Sequence, residues 1–274
     1  MQLLCGSFKL DLSRPKVMGI VNVTPDSFSD GGRYDTFSSA IEHAYQLIED
    51  GADMLDIGGE STRPGAAEVG EQEELDRVLP VIEGLRGISV PISIDTWKPV
   101  VMRAAIKAGA SMVNDVNALQ ADGALQAVAA TEGAVCLMHK QGTPQSMQQQ
   151  PDYRDVVSEV ADFLKQRVAV AEQAGIARDR IVIDPGFGFG KTLAHNLDLL
   201  RELQGFSALG VPVLAGLSRK SMLGAVTGRD VNERLAASVA AAMLAVQRGA
   251  AIVRVHDVRE TVDALKIINA VNEG

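Results

Sequence analysis

Residues 51–60 read GADMLDIGGE, and the arrangement inside these ten positions recurs along the chain. A glycine–alanine pair opens it, a short apolar run follows at 54–57, Asp56 stands near the end of that run, and a long loop of glycine, serine and proline covers 58–70. Comparable apolar runs occur at 17–23, 92–94, 112–113, 134–138, 181–183, 213–217 and 252–255. They are continuous rather than alternating, as expected of strands covered on both faces. Helical patterns lie between them; over 153–174, Val156, Val157, Val160, Phe163, Leu164 and Val168 share one stripe. Gly51-Ala52, Gly109-Ala110, Gly133-Ala134 and Gly249-Ala250 mark joints where a left-handed glycine can cap a helix before the next strand. Eight such strand–helix units predict an α/β fold, a single (β/α)8 TIM barrel spanning residues 1–274 as one domain. The first residues, through Leu12, are expected to form a short N-terminal hairpin over the barrel bottom. A doubly wound open sheet would show the same alternation, because periodicity alone does not close a barrel.

The bulk composition narrows the partners. The chain has 274 residues, 46% of them hydrophobic and 22% charged, enough apolar material for a sizeable core. Its net charge of −9 speaks against nucleic acid or an anionic membrane as partner, so an anionic ligand must be held by a few local cations. No apolar stretch is long enough to span a bilayer. The two cysteines, Cys5 and Cys136, form no disulfide framework, which fits a reducing cytoplasm.

Function should gather where the runs end. At or just beyond their last positions stand Asn22, Asp56, Asp95, Asn114, His139, Asp184, Ser218 and His256. In a barrel these converge on one mouth, and the long loops 22–37, 58–70 and 139–152 lie at the same end. Asp95, Asn114 and Asp184 suit a flat heterocycle with adjacent N–H donors, such as a 2-amino-4-oxo-pyrimidine ring, because one carboxylate can accept two parallel bonds. Arg219, Lys220, Arg254 and His256 follow the last two runs, the usual phosphate end of such barrels. Arg254 sits among Ile252, Val253 and Val255, where an unpaired charge would be costly.

One segment offers a different reading. Residues 184–192, DPGFGFGKT, end like a phosphate-cradling loop. That motif needs a glycine five positions before Gly190, where Pro185 stands, and proline has no N–H to donate. A nucleotide site is therefore not expected. Asp184 is the working residue, while Lys191 and Thr192 open the next helix, and a change at Lys191 is expected to do little.

The segments MGIVNVTPDSFSDGG, DIGGESTRPGA, SIDT, NDV, CLMHKQGTP, DPGFGFGKT, GLSRKSMLG and IVRVHDV, taken in order over residues 17–257, resemble the dihydropteroate synthase family, the folate-pathway enzymes targeted by sulfonamides. The resemblance implies that 6-hydroxymethyl-7,8-dihydropterin pyrophosphate is joined to p-aminobenzoate, with release of pyrophosphate in the presence of Mg2+. It assigns Asp95, Asn114, Met138, Asp184, Gly216 and Lys220 to the pterin, with Asp56 at a further pterin-pocket position. It assigns Phe28, Thr62, Arg63, Pro64, Phe189 and Ser221 to p-aminobenzoate. Asn22, Arg63, Arg254 and His256 fall to the pyrophosphate, Asn22 being also the Mg2+ ligand. Catalytic weight falls on Asp95, Lys220, Arg254 and His256, and a homodimer is implied; the alanine-rich helix over 235–246 would pack closely on a partner or on the barrel. Trp97 and Lys140 receive no role. A methyltetrahydrofolate-binding methyltransferase barrel would share the acidic ring-reading groups but would have no use for a diphosphate site. A pterin-binding homologue without catalysis would be expected to lack Asn22, Lys220, Arg254 or His256, all of which are present.

The chemistry agrees with what the resemblance implies. A neutral arylamine is already nucleophilic near neutral pH, so the demanding event is C–O cleavage, with a cation growing on the pterin methylene and negative charge growing on the diphosphate. Acidic groups at one pole and basic groups opposite would stabilise both in a dissociative, SN1-like path.

Overall fold

The computed structural model describes residues 1–24, 33–61, 68–142 and 151–272. Two short strands, β1 (Gln2–Cys5) and β2 (Phe8–Asp11), pair antiparallel. They precede eight parallel strands: β3 (Lys16–Asn22), β4 (Met54–Gly58), β5 (Ile92–Asp95), β6 (Met112–Asp115), β7 (Ala134–Met138), β8 (Ile181–Asp184), β9 (Val213–Ala215) and β10 (Ala250–Val255). These pair in chain order, and β10 returns to β3, so the sheet is a closed barrel and the open-sheet alternative is excluded. Helices α1 (Arg33–Glu49), α2 (Glu71–Gly84), α3 (Pro99–Ala108), α4 (Ala124–Ala129), α5 (Val156–Gln173), α6 (Leu193–Arg201), α7 (Ser221–Thr227), α8 (Leu235–Gln247) and α9 (Val258–Asn272) lie outside it.

Side-chain parity divides the strands. Val17, Leu55, Ile57, Ile92, Ile94, Val113, Val135, Leu137, Ile181, Ile183 and Val253 belong to the core between barrel and helices. The alternate positions Met18, Met54, Met112, Ala134, Cys136, Val182, Leu214 and Ile252 pack on one another inside the barrel. Leu3 and Cys5 of the hairpin join this inner cluster, and Gly6 N donates to Glu132 O at 2.9 Å. The hairpin thus plugs the bottom of the barrel, as the sequence predicts. Both cysteines are buried free thiols.

Some boundaries differ from expectation. The fifth helix begins at Val156 because the Asp155 carboxylate accepts from Val157 N and Ser158 N and so caps it. Strand β9 stops at Ala215, two residues short of the apolar run, so Ser218 lies beyond the ladder. Gly51, Gly109 and Gly249 adopt φ of 100°, 132° and 92°, the left-handed joints predicted. Gly133 is not among the left-handed glycines: α4 ends four residues before it, and Thr131 and Glu132 make the turn. The alanine-rich helix α8 buries Ser238, Ala241, Ala242 and Ala245, lying against β10 and α9.

The plug sets a stability test. Leu3 is fully buried at the closed end of the barrel, where few neighbours can collapse into a void. Leu3→Ala is expected to cost about 2–5 kcal/mol in urea unfolding, with the slope of the transition unchanged.

Candidate active site

The parity that fills the barrel bottom with apolar side chains continues upward into polar ones. Two residues above Met54 stands Asp56; two above Met112, Asn114; two above Val182, Asp184; two above Ile252, Arg254, then His256. Asp95 ends β5 opposite Asn114 of β6, and Met138 ends β7 opposite Asp184 of β8. Asn22 ends β3 opposite Gly58. Asp56 is the exception to a tip position. It pairs in register with Ile20, two residues below the end of β4, and is completely buried.

Asp56 is also where the charges meet. Its Oδ2 accepts from Arg254 Nε at 2.5 Å and from Asn114 Nδ2 at 3.0 Å. Arg254 Nη2 reaches Asp95 Oδ2 at 2.8 Å. The expected cost of an unpaired Arg254 is thereby met, but the expected separation of acidic and basic poles is corrected. Arg254 is not opposite the acidic group; it is forked between two of its members, because closure of the barrel sets β10 beside β3, two strands from β4 and three from β5. The other carboxylate oxygens, Asp56 Oδ1 and Asp95 Oδ1, are buried with no hydrogen-bond partner among the described residues. Burial raises the pKa of Asp95, while Arg254 opposes the rise. Asp184 is likewise raised by burial, with Lys220 and the bond from Gly186 N, at 2.7 Å, acting against it. A Cβ at Gly216 would stand 4.0 Å from Asp184 Oδ2 and 3.9 Å from Arg254 Cβ, so that glycine lies between an acid and the arginine.

Lys220 approaches from the loop after β9. Its ammonium donates to Phe187 O and lies 4.5 Å from the centre of the Phe189 ring. Burial pushes its pKa down to about 8, against the pull of Asp184. Ser221, exposed, is the first residue of α7. The loop is pinned to the end of β10: Arg219, at φ 57°, donates to both oxygens of Asp257 at 3.2 and 2.5 Å. Ser218 Oγ accepts from His256 N at 3.2 Å and lies 3.0 Å from His256 Nδ1. The serine hydroxyl has one proton to give and two lone pairs to accept with, so it holds both the backbone N–H and the ring of His256 in place. Arg219, read in the sequence among the phosphate-side cations, is a brace between two loops.

Two expectations are corrected around residues 184–192. His139 has the parity of Leu137, not of Met138, and so points outward; its ring packs edge-on against Phe163 of α5 at 4.9 Å. It does not join the mouth. Lys191 does not open the helix: it precedes the Thr192 cap and is only 2% exposed, with its ammonium turned back into its own loop. Thr192 does open α6, capped reciprocally with His195. Phe28, Thr62, Arg63 and Pro64 lie outside the described residues.

Sequence reasoning passed over one further cluster. Buried Lys98 donates to Glu60 at 2.5 Å and Glu74 at 2.6 Å, with its ammonium 5.1 Å from the Trp97 ring centre. Burial draws the Lys98 pKa down, but the two carboxylates hold it above its ordinary value. Lys140, half-buried, has its pKa lowered by burial, with Asp115 and Glu60 opposing. The sequence carries no local signal for partners 24 and 38 residues apart.

The fork at Arg254 is directly testable. Arg254→Met would strand two buried carboxylates, and an expected loss of about 3–5 kcal/mol in denaturant unfolding follows. Removing its charge also raises the Asp95 pKa further, so the loss should be smaller at low pH, where Asp95 is protonated.

Comparison with known proteins gives the family. The family model described as "Pterin binding enzyme" matches residues 18–256. Dihydropteroate synthase of Escherichia coli (strain K12) is 51% identical over 271 residues, covering 98% of this chain and 96% of that protein. A solved dihydropteroate synthase of Xanthomonas albilineans with 4-aminobenzoic acid superposes with a TM-score of 0.94 at 56% identity, covering 99% of this chain and 98% of that one. Another structure from that organism, in complex with 7,8-dihydropteroate, superposes with a TM-score of 0.91 at 53% identity, covering 99% of each chain. With the barrel closed and the acidic and basic groups gathered at its mouth, the chain belongs to the pterin-binding enzyme family, among its dihydropteroate synthases.

Proposed function

We propose that the barrel mouth joins 6-hydroxymethyl-7,8-dihydropterin pyrophosphate to p-aminobenzoate by a dissociative route, with the residues in the following roles. Asp95, Asn114 and Asp184 read the N–H edge of the pterin, Met138 lies against its ring, Gly216 leaves room for it, and Lys220 spans from the pterin toward the aminobenzoate. Arg254 and His256 hold the diphosphate, together with Asn22 and Arg63. Phe189 and Ser221, with Phe28, Thr62, Arg63 and Pro64, receive p-aminobenzoate.

The observation that carries this reading is the contiguity of the charges. Buried acceptors on Asp56 and Asp95 have no partner among the described residues, and they adjoin the guanidinium of Arg254. Arg254 and Asp95 both keep some side-chain exposure, 21% and 8%, so one small molecule can meet both signs of charge. The energetics favour cleavage: a carboxylate whose pKa is raised by burial is poorly stabilised as an anion, and a cation growing beside it relieves that cost only as the C–O bond breaks. The bonding pair leaves with the diphosphate oxygen, where Arg254 and the His256 ring meet the new charge. The arylamine lone pair then closes on the methylene, and the nitrogen releases its proton.

Mg2+ is supported in a limited form. No three His, Cys, Asp or Glu side chains gather to hold a metal among the described residues. Asn22 is one neutral oxygen donor, half-buried at the end of β3. It would suit Mg2+ arriving with the diphosphate, whose oxygens and water complete the shell. Bound there, the ion would neutralise charge on the leaving group.

A homodimer is supported by exposed apolar side chains on neighbouring helices: Val226 of α7, Leu235 and Leu244 of α8, and Ile267 and Val271 of α9. Action in a reducing cytoplasm fits the two buried free thiols. Among the described residues no helix is long and apolar enough to cross a membrane.

The test mixes the two substrates with and without Mg2+ and measures pyrophosphate and dihydropteroate. Equal amounts of both are expected; methyl transfer from methyltetrahydrofolate with no pyrophosphate would overturn the reading. Asp184→Asn should lower kcat/KM for the pterin about 100- to 1000-fold, by analogy with removing one group that meets developing charge. In single turnovers, the rate of C–O cleavage should be nearly independent of arylamine basicity, whereas a steep dependence would make the path associative.

A further inference from the structure

Lys191 Nζ lies 2.9 Å from Gly186 O, 3.0 Å from Phe189 O and 3.0 Å from His139 Nδ1, with His139 O at 3.4 Å. Three acceptors at 3.0 Å or less match the three N–H bonds of an ammonium, whereas a neutral amine has two. An ammonium can only donate, so His139 Nδ1 must accept, and the ring proton must sit on Nε2. Burial pushes the pKa of His139 down to about 3, with Lys191 adding to the fall. It pushes that of Lys191 down to about 7, with Asp184 opposing.

The backbone around this cation has no slack. At Gly186, φ is +71° and a Cβ would stand 1.9 Å from His139 O; at Gly190, φ is +63° and a Cβ would stand 2.4 Å from Gln141 O. The loop is pressed against residues 139–141, and the Lys191 ammonium bonds across the junction. Between the two carbonyls that hold it lie the groups used by the mouth. Phe187 O accepts from Lys220, the Phe189 ring lies under the Lys220 ammonium, and Gly186 N donates to Asp184.

We propose that Lys191 is a positioning residue for the reaction: its caged ammonium fixes the carbonyl and ring on which Lys220 rests and keeps a positive charge on the loop side of Asp184. The roles of Lys220 and Asp184 here rest on the function argued above. The titratable groups around the cage are His139 at the end of β7, Asp184 of β8, Lys220 before α7, and Tyr153 before α5, whose hydroxyl donates to Gly190 O at 2.9 Å. His195 of α6 meets the Tyr153 ring edge-on at 5.1 Å.

Two measurements test this. Lys191→Met keeps the unbranched chain as far as the ε-carbon and removes the charge. Its kcat/KM for the dihydropterin pyrophosphate should fall by at least about tenfold, with kcat/KM for p-aminobenzoate falling in parallel only through kcat. The acid limb of the pterin profile should move to higher pH, because Lys191 lowers the Asp184 pKa and its loss lets that carboxylate protonate sooner. On the unmodified protein, 15N NMR of its four histidines, with His139 assigned by the signal missing in His139→Gln, should show a neutral ring protonated on Nε2 at about pH 5 to 6, above the His139 pKa and below that of Lys191. A folded Lys191→Met with an unchanged pH–rate profile overturns the proposal, and so does a wild-type His139 protonated on Nδ1. If Lys191→Met does not fold, the His139 tautomer decides alone. If the wild type releases no pyrophosphate, the functional reading fails while the tautomer still decides whether the cage exists.

Discussion

The guanidinium of Arg254, forked between Asp56 and Asp95, is the contact on which the mouth of this barrel depends. Without it, two carboxylates that are almost wholly removed from water would face each other across β4 and β5. Such a pair adds little net stability compared with apolar side chains of the same volume, since the desolvation of three charges cancels most of their attraction. Stability therefore does not explain its presence. What it provides is a fixed negative group beside a fixed positive one, buried where water screens neither well. The closed barrel supplies the rigidity. Its lower half is packed with methionine, valine, leucine and isoleucine, so the polar layer above has a floor that does not yield.

The fold was legible because one repeated unit carried it. Continuous apolar runs separated by amphipathic stretches specified eight strands, and three of the four glycine–alanine joints took the left-handed turn their composition requires. The tip residues were legible as a set, but not their directions. Direction depends on strand parity, and parity can be read: Asp56, Asn114, Asp184 and Arg254 each follow an inner apolar residue by two positions. His139 follows Leu137, an outer one, and so turns away. The same reading would have placed Asp56 below the rim.

Pairing was not legible. Arg254 and Asp56 are 198 residues apart, and nothing local to either names the other. The closure of the barrel brings β10 beside β3 and within reach of β4. The same holds for Arg219, whose partner Asp257 lies on the following loop, and for Lys98 between Glu60 and Glu74. An isolated cation in a sequence reads as a solvated surface charge or a ligand for phosphate. In each of these cases it is a structural partner, because the interior around it can be polar only if charges are matched.

The segment DPGFGFGKT shows how far similar residues can go in opposite directions. A phosphate-binding loop turns successive N–H groups inward around an anion, and its lysine reaches the same anion. Here the glycines permit left-handed turns at 186, 188 and 190, and the outcome is that the carbonyls of Gly186 and Phe189 converge on the lysine of the same loop. The ligand of this loop is its own cation. A second consequence follows from geometry alone. The Phe187 carbonyl lies between those two carbonyls in the chain and is occupied by Lys220, so two lysines share one short stretch of backbone from opposite sides. Two cations that close would repel strongly unless an anion stood near both, and Asp184 is that anion: it opposes the burial cost of each ammonium. Asp184 thus acts before any substrate arrives, which is a second reason for a carboxylate at the root of this loop, beside the two parallel bonds it can accept from a ring edge.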